Sequence, residues 1–334
     1  MNKILSISIA AYNVGDVLSR TIDSILKCQL KESIQIIVVN DGSKDSTIQV
    51  AESYQEKFPS IVTVIDKKNG GYGSTINASI KVATGKYYRL LDGDDEFISE
   101  NLDKYISFLE RVDSDIVVSP YYRYYFEEEK MDLIDRHDIP KVVPIKELNS
   151  VLDIQNPELC YRTSLLRSNP IEISEHIFYT DNEFVFIPLI YSETIVKFSD
   201  PIYKYWIGGN DQSVSINGRI KHYKDSELVE KKLIKSYSDN IDLIAQDFYK
   251  KTSLQKMLYN LANYQFANYL LLDKPNRKEI IEFDEYIKCN NPELYLDLSQ
   301  NSKRVKMLRK MKFHFLPTFH KMMRKVVENE QFKG

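Results

Sequence analysis

Glycine and proline are scarce, eleven of each in 334 residues. That is roughly half of the usual combined usage of about 12%, so collagen-like and low-complexity architectures are excluded and a helix-rich chain is predicted. Cysteine is scarcer still. Cys28, Cys160 and Cys289 lie far apart, which excludes a close pair of metal-ligand spacing and makes a reducing cytoplasm the expected setting. No apolar run approaches the ~20 residues of a spanning helix, so no membrane span is expected. The stretch from Ile4 to Ala11 is interrupted by Ser6 and Ser8, and Asn13 and Asp16 follow where a small-residue cleavage site would lie. It reads as a buried strand rather than a signal sequence.

Charge is unevenly spread. Residues 302–334 carry ten Lys or Arg against Glu328 and Glu330, a net of +8 in a chain whose formal net charge is -3, which leaves -11 for residues 1–301. A uniformly basic nucleic-acid binder is disfavoured by that distribution. A basic tail on an acidic body suits anionic lipid, a phosphate-bearing substrate or another subunit. Within the tail, Lys303, Arg304, Lys306, Arg309, Lys310 and Lys312 surround Val305, Met307, Leu308 and Met311. Pro317 is expected to break the segment that continues through Phe313, Phe315, Leu316 and Phe319. Self-association of the helical region is the leading expectation for this tail. Peripheral contact with an anionic membrane surface and a plain solvated face over the C-terminal core are the alternatives.

At about 150 residues per domain, the length predicts two domains or one with a large appendage. The first 120 residues alternate apolar runs (Ile4 to Ala10, Ile34 to Val39, Ile61 to Ile65, Tyr87 to Leu91, Asp115 to Ser119) with helical patterns near 16–28, 45–57, 73–83 and 100–111. Such alternation marks βαβ units around a mostly parallel sheet. Asp45 or Ser46 is placed to cap the second helix. Residues 121–220 are irregular, and Pro140, Pro144, Pro157, Pro170 and Pro188 predict loops between short elements. From about Lys221 the spacing is helical, as in Leu254, Leu258, Leu261, Ala262, Gln265, Phe266 and Tyr269. The expected division is therefore a catalytic α/β domain over 1–220 and a helical domain over 221–334.

Ligands of open α/β sheets bind beyond the carboxyl ends of the strands. Here those ends are polar: Ala11-Tyr12-Asn13, Asn40-Asp41-Gly42-Ser43, Asp66 to Gly71, and Asp92-Gly93-Asp94-Asp95. Three carboxylates within four residues repel one another unless a cation or donor network compensates them, and hard oxygen ligands suit Mg2+ or Mn2+. The plainer reading of that run is an acidic loop capping the helix that starts near Ser99, and Asp41-Gly42-Ser43 alone reads as an ordinary turn. His176, His222 and the remaining histidines lack a zinc pattern and receive no role.

Taken in order, Ser8 to Asn13, Ile37 to Ser43, Asn69-Gly70-Gly71-Tyr72-Gly73-Ser74-Thr75-Ile76-Asn77, Ala83 to Tyr87 and Leu91 to Asp95 resemble the family 2 glycosyltransferases. These have the GT-A fold, a Rossmann-like mostly parallel α/β sheet, and the match covers roughly residues 4–215. The resemblance implies that Ala11, Tyr12, Asn13, Asp41, Asn69, Gly70, Gly71 and Asp92 bind the nucleotide sugar. Asp41 receives the base and Tyr12 helps to wall its pocket. Asp92 and Asp94 form the family's Asp-any-Asp pair for ribose and metal-bound diphosphate. Asp94 and Asp95 are the expected metal side, with the division among the three open. Ala10 stands where many relatives have proline.

The resemblance also implies a general base. In Thr180-Asp181-Asn182-Glu183-Phe184 the aspartate is kept as Asp181, while Thr180 replaces the usual glutamate; Glu183 is the competing candidate, and a plain helix-start role for Asp181 is the alternative. Tyr203-Lys204-Tyr205-Trp206 followed by Gln212-Ser213-Val214-Ser215 resembles the segment that closes over the donor. Trp206 is a candidate acceptor platform or a core aromatic. The function implied is inverting, Mn2+- or Mg2+-dependent transfer from a UDP-sugar to a glycan, glycoprotein or lipid-linked acceptor in bacterial surface-glycan synthesis. Cytoplasmic residence is expected, with membrane contact at most peripheral. A sugar-1-phosphate nucleotidyltransferase is a rival, but Ala11 to Gly15 lacks its basic glycine-rich loop. A non-catalytic sugar-binding scaffold is a second rival, opposed by the intact carboxylates at 41, 92, 94 and 181.

Overall fold

The apolar runs of the first half form strands and the amphipathic segments between them form helices. A computed structural model describes residues 3–126, 128–207 and 215–314. Gln212 to Val214, Pro317 and the tail beyond residue 314 lie outside the described residues. The chain divides into two units, Met1–Gly208 and Gly209–Gly334.

The first unit begins β1 (Leu5–Ala11), α1 (Leu18–Leu26), β2 (Ile34–Asn40), α2 (Thr47–Lys57), β3 (Val62–Asp66), α3 (Tyr72–Val82), β4 (Tyr87–Asp92), β5 (Glu96–Phe97) and α4 (Ser99–Arg111). It continues β6 (Ile116–Val118), β7 (Tyr121–Tyr125), β8 (Lys130–Ile134), β9 (Val143–Pro144), β10 (Leu159–Arg162), α5 (Thr163–Ser168), α6 (Asp181–Tyr191), β11 (Thr194–Lys197) and β12 (Tyr203–Ile207). The main sheet runs β3-β2-β1-β4-β10-β6-β11-β9. Its first four strands are mutually parallel, whereas β10 runs antiparallel to both neighbours. A second sheet runs β5-β12-β7-β8.

Every residue of β2 is buried, as expected of a parallel strand covered on both faces. The polar residues inside this layer are paired. Ser6 donates to Gln35 Oε1 at 2.7 Å, and the same oxygen takes the Thr84 N–H at 2.7 Å. Before α2, Asp45 rather than Ser46 does the capping work: its Oδ1 accepts the Thr47 N–H at 3.1 Å, while Ser46 makes no cap bond. One expectation fails at Pro188, which lies inside α6 instead of in a loop. It is the eighth of eleven residues there, so it removes one backbone bond from a helix whose 183–190 stretch is buried throughout.

Strand order locates the crevice. The chain steps from β1 outward through β2 to β3, then returns to the other side of β1 as β4. The carboxyl ends of four strands therefore share one edge, with the reversal point between β1 and β4. Asn40 pairs with Ala11, Asp66 with Asn40, and Asp92 with Ala10.

The second unit is helical: α7 (Ile216–Lys221), α8 (Tyr223–Asp239), α9 (Ile241–Ile244), α10 (Phe248–Leu271), α11 (Arg277–Asn290), α12 (Pro292–Asn301) and α13 (Lys303–Lys310). The expected boundary at 220 falls inside α7. That helix goes with the second unit, where Arg219 Nε donates to Asn268 Oδ1 of α10 at 2.9 Å. Along α10 all of the expected apolar stripe except Leu261 is buried. The basic run over 303–310 is partly structural. Val305 and Leu308 are buried, and Arg309 grips Asp284 through Nε and Nη2 at 2.9 and 2.6 Å while lying over the Tyr295 ring. Among the described residues no helix is long and apolar enough to cross a membrane.

Glu230 on α8 is 1% exposed, and neither carboxyl oxygen has a hydrogen-bond partner among the described residues. Burial, with Glu227 adding, raises its pKa well above 4.5. The folded chain thus holds a proton that the unfolded chain releases above that value, so this residue's contribution to stability is greatest below pH 4.5 and shrinks as pH rises. Glu230→Gln is expected to raise the free energy of unfolding of the second unit at pH 8, by roughly 1 to 3 kcal/mol, and to change it little at pH 4. Urea titrations of both proteins across that pH range check this.

Candidate active site

Asp41, the first residue after β2, is 3% exposed and is the most heavily bonded carboxylate in the crevice. Its Oδ1 accepts from Lys67 Nζ at 2.7 Å, the Gly70 N–H at 2.9 Å and the Ser74 hydroxyl at 3.3 Å; its Oδ2 accepts the Gly71 N–H at 2.8 Å. Asn69 Nδ2 donates to the Asp41 carbonyl at 2.9 Å. Asp41, Asn69, Gly70 and Gly71, read separately from the sequence, thus form one hub that folds the loop after β3 over the end of β2. Gly42 is required at this crossing: its φ is +71°, and a Cβ there would lie 2.8 Å from the Asn69 nitrogen. Lys67 is the member that sequence reasoning missed. Its signal was a lysine directly after a strand that ends in Asp66, beside a buried acid on the neighbouring strand.

The end of β1 forms the opposite rim. The Ala11 carbonyl accepts the Asp41 N–H at 2.9 Å. Asn13, with φ 54°, accepts the Lys44 N–H on its Oδ1 at 2.9 Å and gives its own N–H to Ser43 Oγ at 3.0 Å. Tyr12 lies between them with 49% of its surface exposed.

The carboxylates after β4 separate into three environments. Asp94 is exposed. Asp92 is half-buried and accepts the Tyr72 O–H on Oδ1 at 2.7 Å. Burial pushes its pKa up to about 7; the Tyr72 bond opposes this, and the charges of Asp94 and Asp181 add to it. Asp95 departs from its expected place on the metal side. It is 1% exposed and turned inward, where Oδ2 accepts the Tyr203 O–H at 2.6 Å and Oδ1 the Trp206 N–H at 2.8 Å. Burial holds its carboxyl well above the usual range. The loop itself is fixed from α1: Arg20 Nη2 donates to the Asp94 carbonyl at 2.6 Å and Thr21 Oγ1 to the Gly93 carbonyl at 2.9 Å.

The two candidates on α6 also part. Asp181, its first residue, is half-buried and its charge is felt by Asp92 and Tyr72. Burial raises its pKa despite the helix start. Glu183 is fully buried, and its Oε2 accepts the Ser174 N–H at 2.7 Å. Glu183, the competing candidate for the base, thus clamps the segment before α6. Two residues on a helix are about 200° apart, so only one of this pair faces the crevice. Trp206 likewise is already engaged. Its Nε1 donates to Glu96 at 3.0 Å, and Arg20 and Lys204 lie 4.5 and 4.1 Å from its ring centroid.

The arrangement offers a polar rim after β1, a backbone loop held by Asp41, two acids at the end of β4 and a third on α6. Among the described residues no three His, Cys, Asp or Glu side chains are grouped to hold a metal by themselves, and no Lys or Arg forms an ion pair with Asp92, Asp94 or Asp181. Asp92 and Asp94 therefore fit a hard cation that takes its other ligands from a substrate and water, the usual habit of Mg2+.

Residues 6–173 match the family model described as Glycosyl transferase family 2. Among curated relatives, the poly(ribitol-phosphate) beta-glucosyltransferase of Bacillus spizizenii is 28% identical over 64% of this chain and 33% of its own length. An uncharacterized glycosyltransferase of Haemophilus influenzae is 25% identical over 93% of this chain and 98% of its own. The chain thus spans about a third of the length of relatives such as the Bacillus protein. A crystal structure of S. aureus TarS 1-349 in complex with UDP-GlcNAc superposes with a TM-score of 0.67 over 96% of this chain and 92% of that one, at 18% identity. That likeness establishes the fold, a GT-A-like α/β domain with a helical C-terminal region.

The split between Asp94 and Asp95 is testable without any substrate. Asp95→Ala removes the acceptor of two buried donors and is expected to cost roughly 1 to 3 kcal/mol of stability. Asp94→Ala is expected to stay within about 0.5 kcal/mol of the parent. Parallel urea titrations give both values.

Proposed function

The chain belongs to glycosyl transferase family 2, and from that premise we propose that it moves a sugar from a UDP-sugar to a hydroxyl of a bacterial surface polymer in one inverting displacement. The observation that carries the reading is the placement of Asp41's hub, Asp92 and Asp94 at the ends of the two strands that flank β1, with Asp181 from α6 close enough for its charge to act on Asp92. The rim of Ala11, Tyr12 and Asn13 and the loop of Asn69 to Gly71 receive the nucleoside. Asp92 and Asp94 face the diphosphate. A divalent ion, which Asp94 with Asp92 beside it would hold, supplies charge neutralisation for the departing diphosphate. The poly(ribitol-phosphate) in the name of the Bacillus relative supports an extended surface polymer as acceptor. Membership in a transferase family leaves the nucleotidyltransferase and scaffold readings without support.

Asp181 takes the proton of the attacking hydroxyl. Burial raises its pKa, which makes it a stronger base than an ordinary aspartate, the direction that general-base catalysis favours. The protonated form cannot accept a proton, so kcat/KM falls as pH drops through that raised value, an acid limb displaced upward from that of an ordinary aspartate.

Asp181→Asn is expected to lower turnover about 10²- to 10⁴-fold. UDP affinity should be retained and the acid limb should vanish. Steady-state transfer across pH, alongside UDP titration calorimetry in Mn2+, provides the check; near-normal turnover of the variant would overturn the assignment of the base.

A further inference from the structure

In a single displacement the acceptor hydroxyl and the leaving diphosphate lie on opposite sides of the anomeric carbon. With the hydroxyl at Asp181 and the diphosphate at Asp92 and Asp94, the sugar ring must fill the space between, and side chains that reach both ends must border it. Two phenols meet that condition. Tyr72 opens α3 and places its O–H on Asp92 Oδ1 at 2.7 Å, with the charge of Asp181 also acting on it. Tyr205 stands on β12 two residues beyond Tyr203 and hence on the same face of the strand. Tyr203 is spent on the fold: it donates to Asp95 Oδ2 and accepts the Asp92 N–H at 3.2 Å. Tyr205 continues that face past Asp95, and the charges of Asp92, Asp95, Asp181 and Asp94 all act on it.

Both residues are half-buried and neither is sealed from solvent, although Tyr205 packs in part against the hydrophobic core. A phenol suits a sugar: its ring face packs on the C–H face of a pyranose and its hydroxyl bonds to the sugar's hydroxyls. The Tyr72 proton is given to Asp92, which leaves its hydroxyl oxygen to accept from a sugar hydroxyl, while the Tyr205 hydroxyl can donate or accept. We propose that Tyr72 and Tyr205 form the wall against which the transferred sugar lies, and that their hydroxyls determine which donor sugar is accepted. The inference rests on the transfer reading above. It adds that discrimination resides in hydroxyls contributed by α3 and β12, elements that carry none of the expected donor-binding carboxylates.

The experiment uses the full chain, Mn2+ and four donors: UDP-glucose, UDP-galactose, UDP-N-acetylglucosamine and UDP-N-acetylgalactosamine. Donor cleavage and transfer are measured for the parent, Tyr72→Phe and Tyr205→Phe, and UDP affinity is measured in parallel. A site that hydrogen-bonds a substrate hydroxyl discriminates strongly against analogues that misplace it. Each variant is therefore expected to keep UDP affinity within about twofold of the parent, while the kcat/KM ratio between the preferred donor and its C4 epimer collapses about tenfold or more. An unchanged ratio in both variants, with the parent active, overturns this inference and leaves the transferase reading standing. Loss of UDP affinity at an unchanged donor ratio also overturns it, because the phenols would then act only through Asp92. A parent that uses none of the four donors overturns both.

Discussion

Four carboxylates share one crevice, and the way their repulsion is relieved organises everything around them. Asp92, Asp94 and Asp95 follow a single strand, and Asp181 approaches from α6. Among the described residues none of the four is relieved by an ion pair with Lys or Arg. Instead Asp95 is taken out of the field by burial and two donors, Asp92 by the Tyr72 hydroxyl, and the loop dipoles are held by Arg20 and Thr21. What remains is a negative surface concentrated on Asp94, with Asp92 poised beside it. In the proposed reading a diphosphate would be repelled there on its own, and a divalent cation would offset that repulsion.

One basic residue nearby is conspicuous for staying out of this arrangement. Arg89 on β4 is fully buried, three residues before Asp92, yet its Nη1 is spent on Tyr105 and Ser119 at 3.2 and 3.0 Å and its Nη2 on the Pro157 carbonyl. The rings of Phe97, Tyr105 and Tyr203 surround it. Because Tyr203 lies between this cation and Asp95, Arg89 supports the second sheet against β4 from beneath without neutralising the crevice. Removing the charge from the acidic floor to its underside keeps the upper face available for a cation.

Most of the fold was legible because it is written locally. The period of the apolar runs located β1 to β4 and β6 within a residue at each end, and the polar run after each strand located the crevice. Roles that depend on which way a side chain turns were not legible. Asp95 differs from Asp94 only through Tyr203 and Trp206, which arrive 108 and 111 residues later. Lys67 acquires meaning only when Asp41 is beside it, across a sheet pairing. The choice between Asp181 and Glu183 was a different matter, since their two-residue spacing on a helix already put them on opposing faces. Pro188 misled because a proline late in a short helix that is buried from Glu183 to Ile190 costs less than the burial around it returns.

The position of Asp181 relative to the Asp41 hub follows from one continuous set of contacts. Asp41 fixes the Gly70 and Gly71 amides, and the Gly70 carbonyl takes the His176 N–H at 2.5 Å. Asn77 on α3 holds both the carbonyl and the N–H of Ile173, at 2.8 and 3.0 Å, and Glu183 holds the Ser174 N–H. Gly73 makes the approach sterically possible, since a Cβ there would lie 2.0 Å from the Ser174 carbonyl oxygen. His176 and Tyr179, with φ of 63° and 65°, complete the turn into α6 in a conformation that isolated residues of their type avoid. The strain is sustained because the contacts on both sides of the turn over-determine it. Asp181 is thereby tied to the same carboxylate that shapes the loop after β3, through α3 rather than through the distant sheet edge. In the proposed single displacement, such coupling would supply a fixed distance between the proton acceptor and the leaving group.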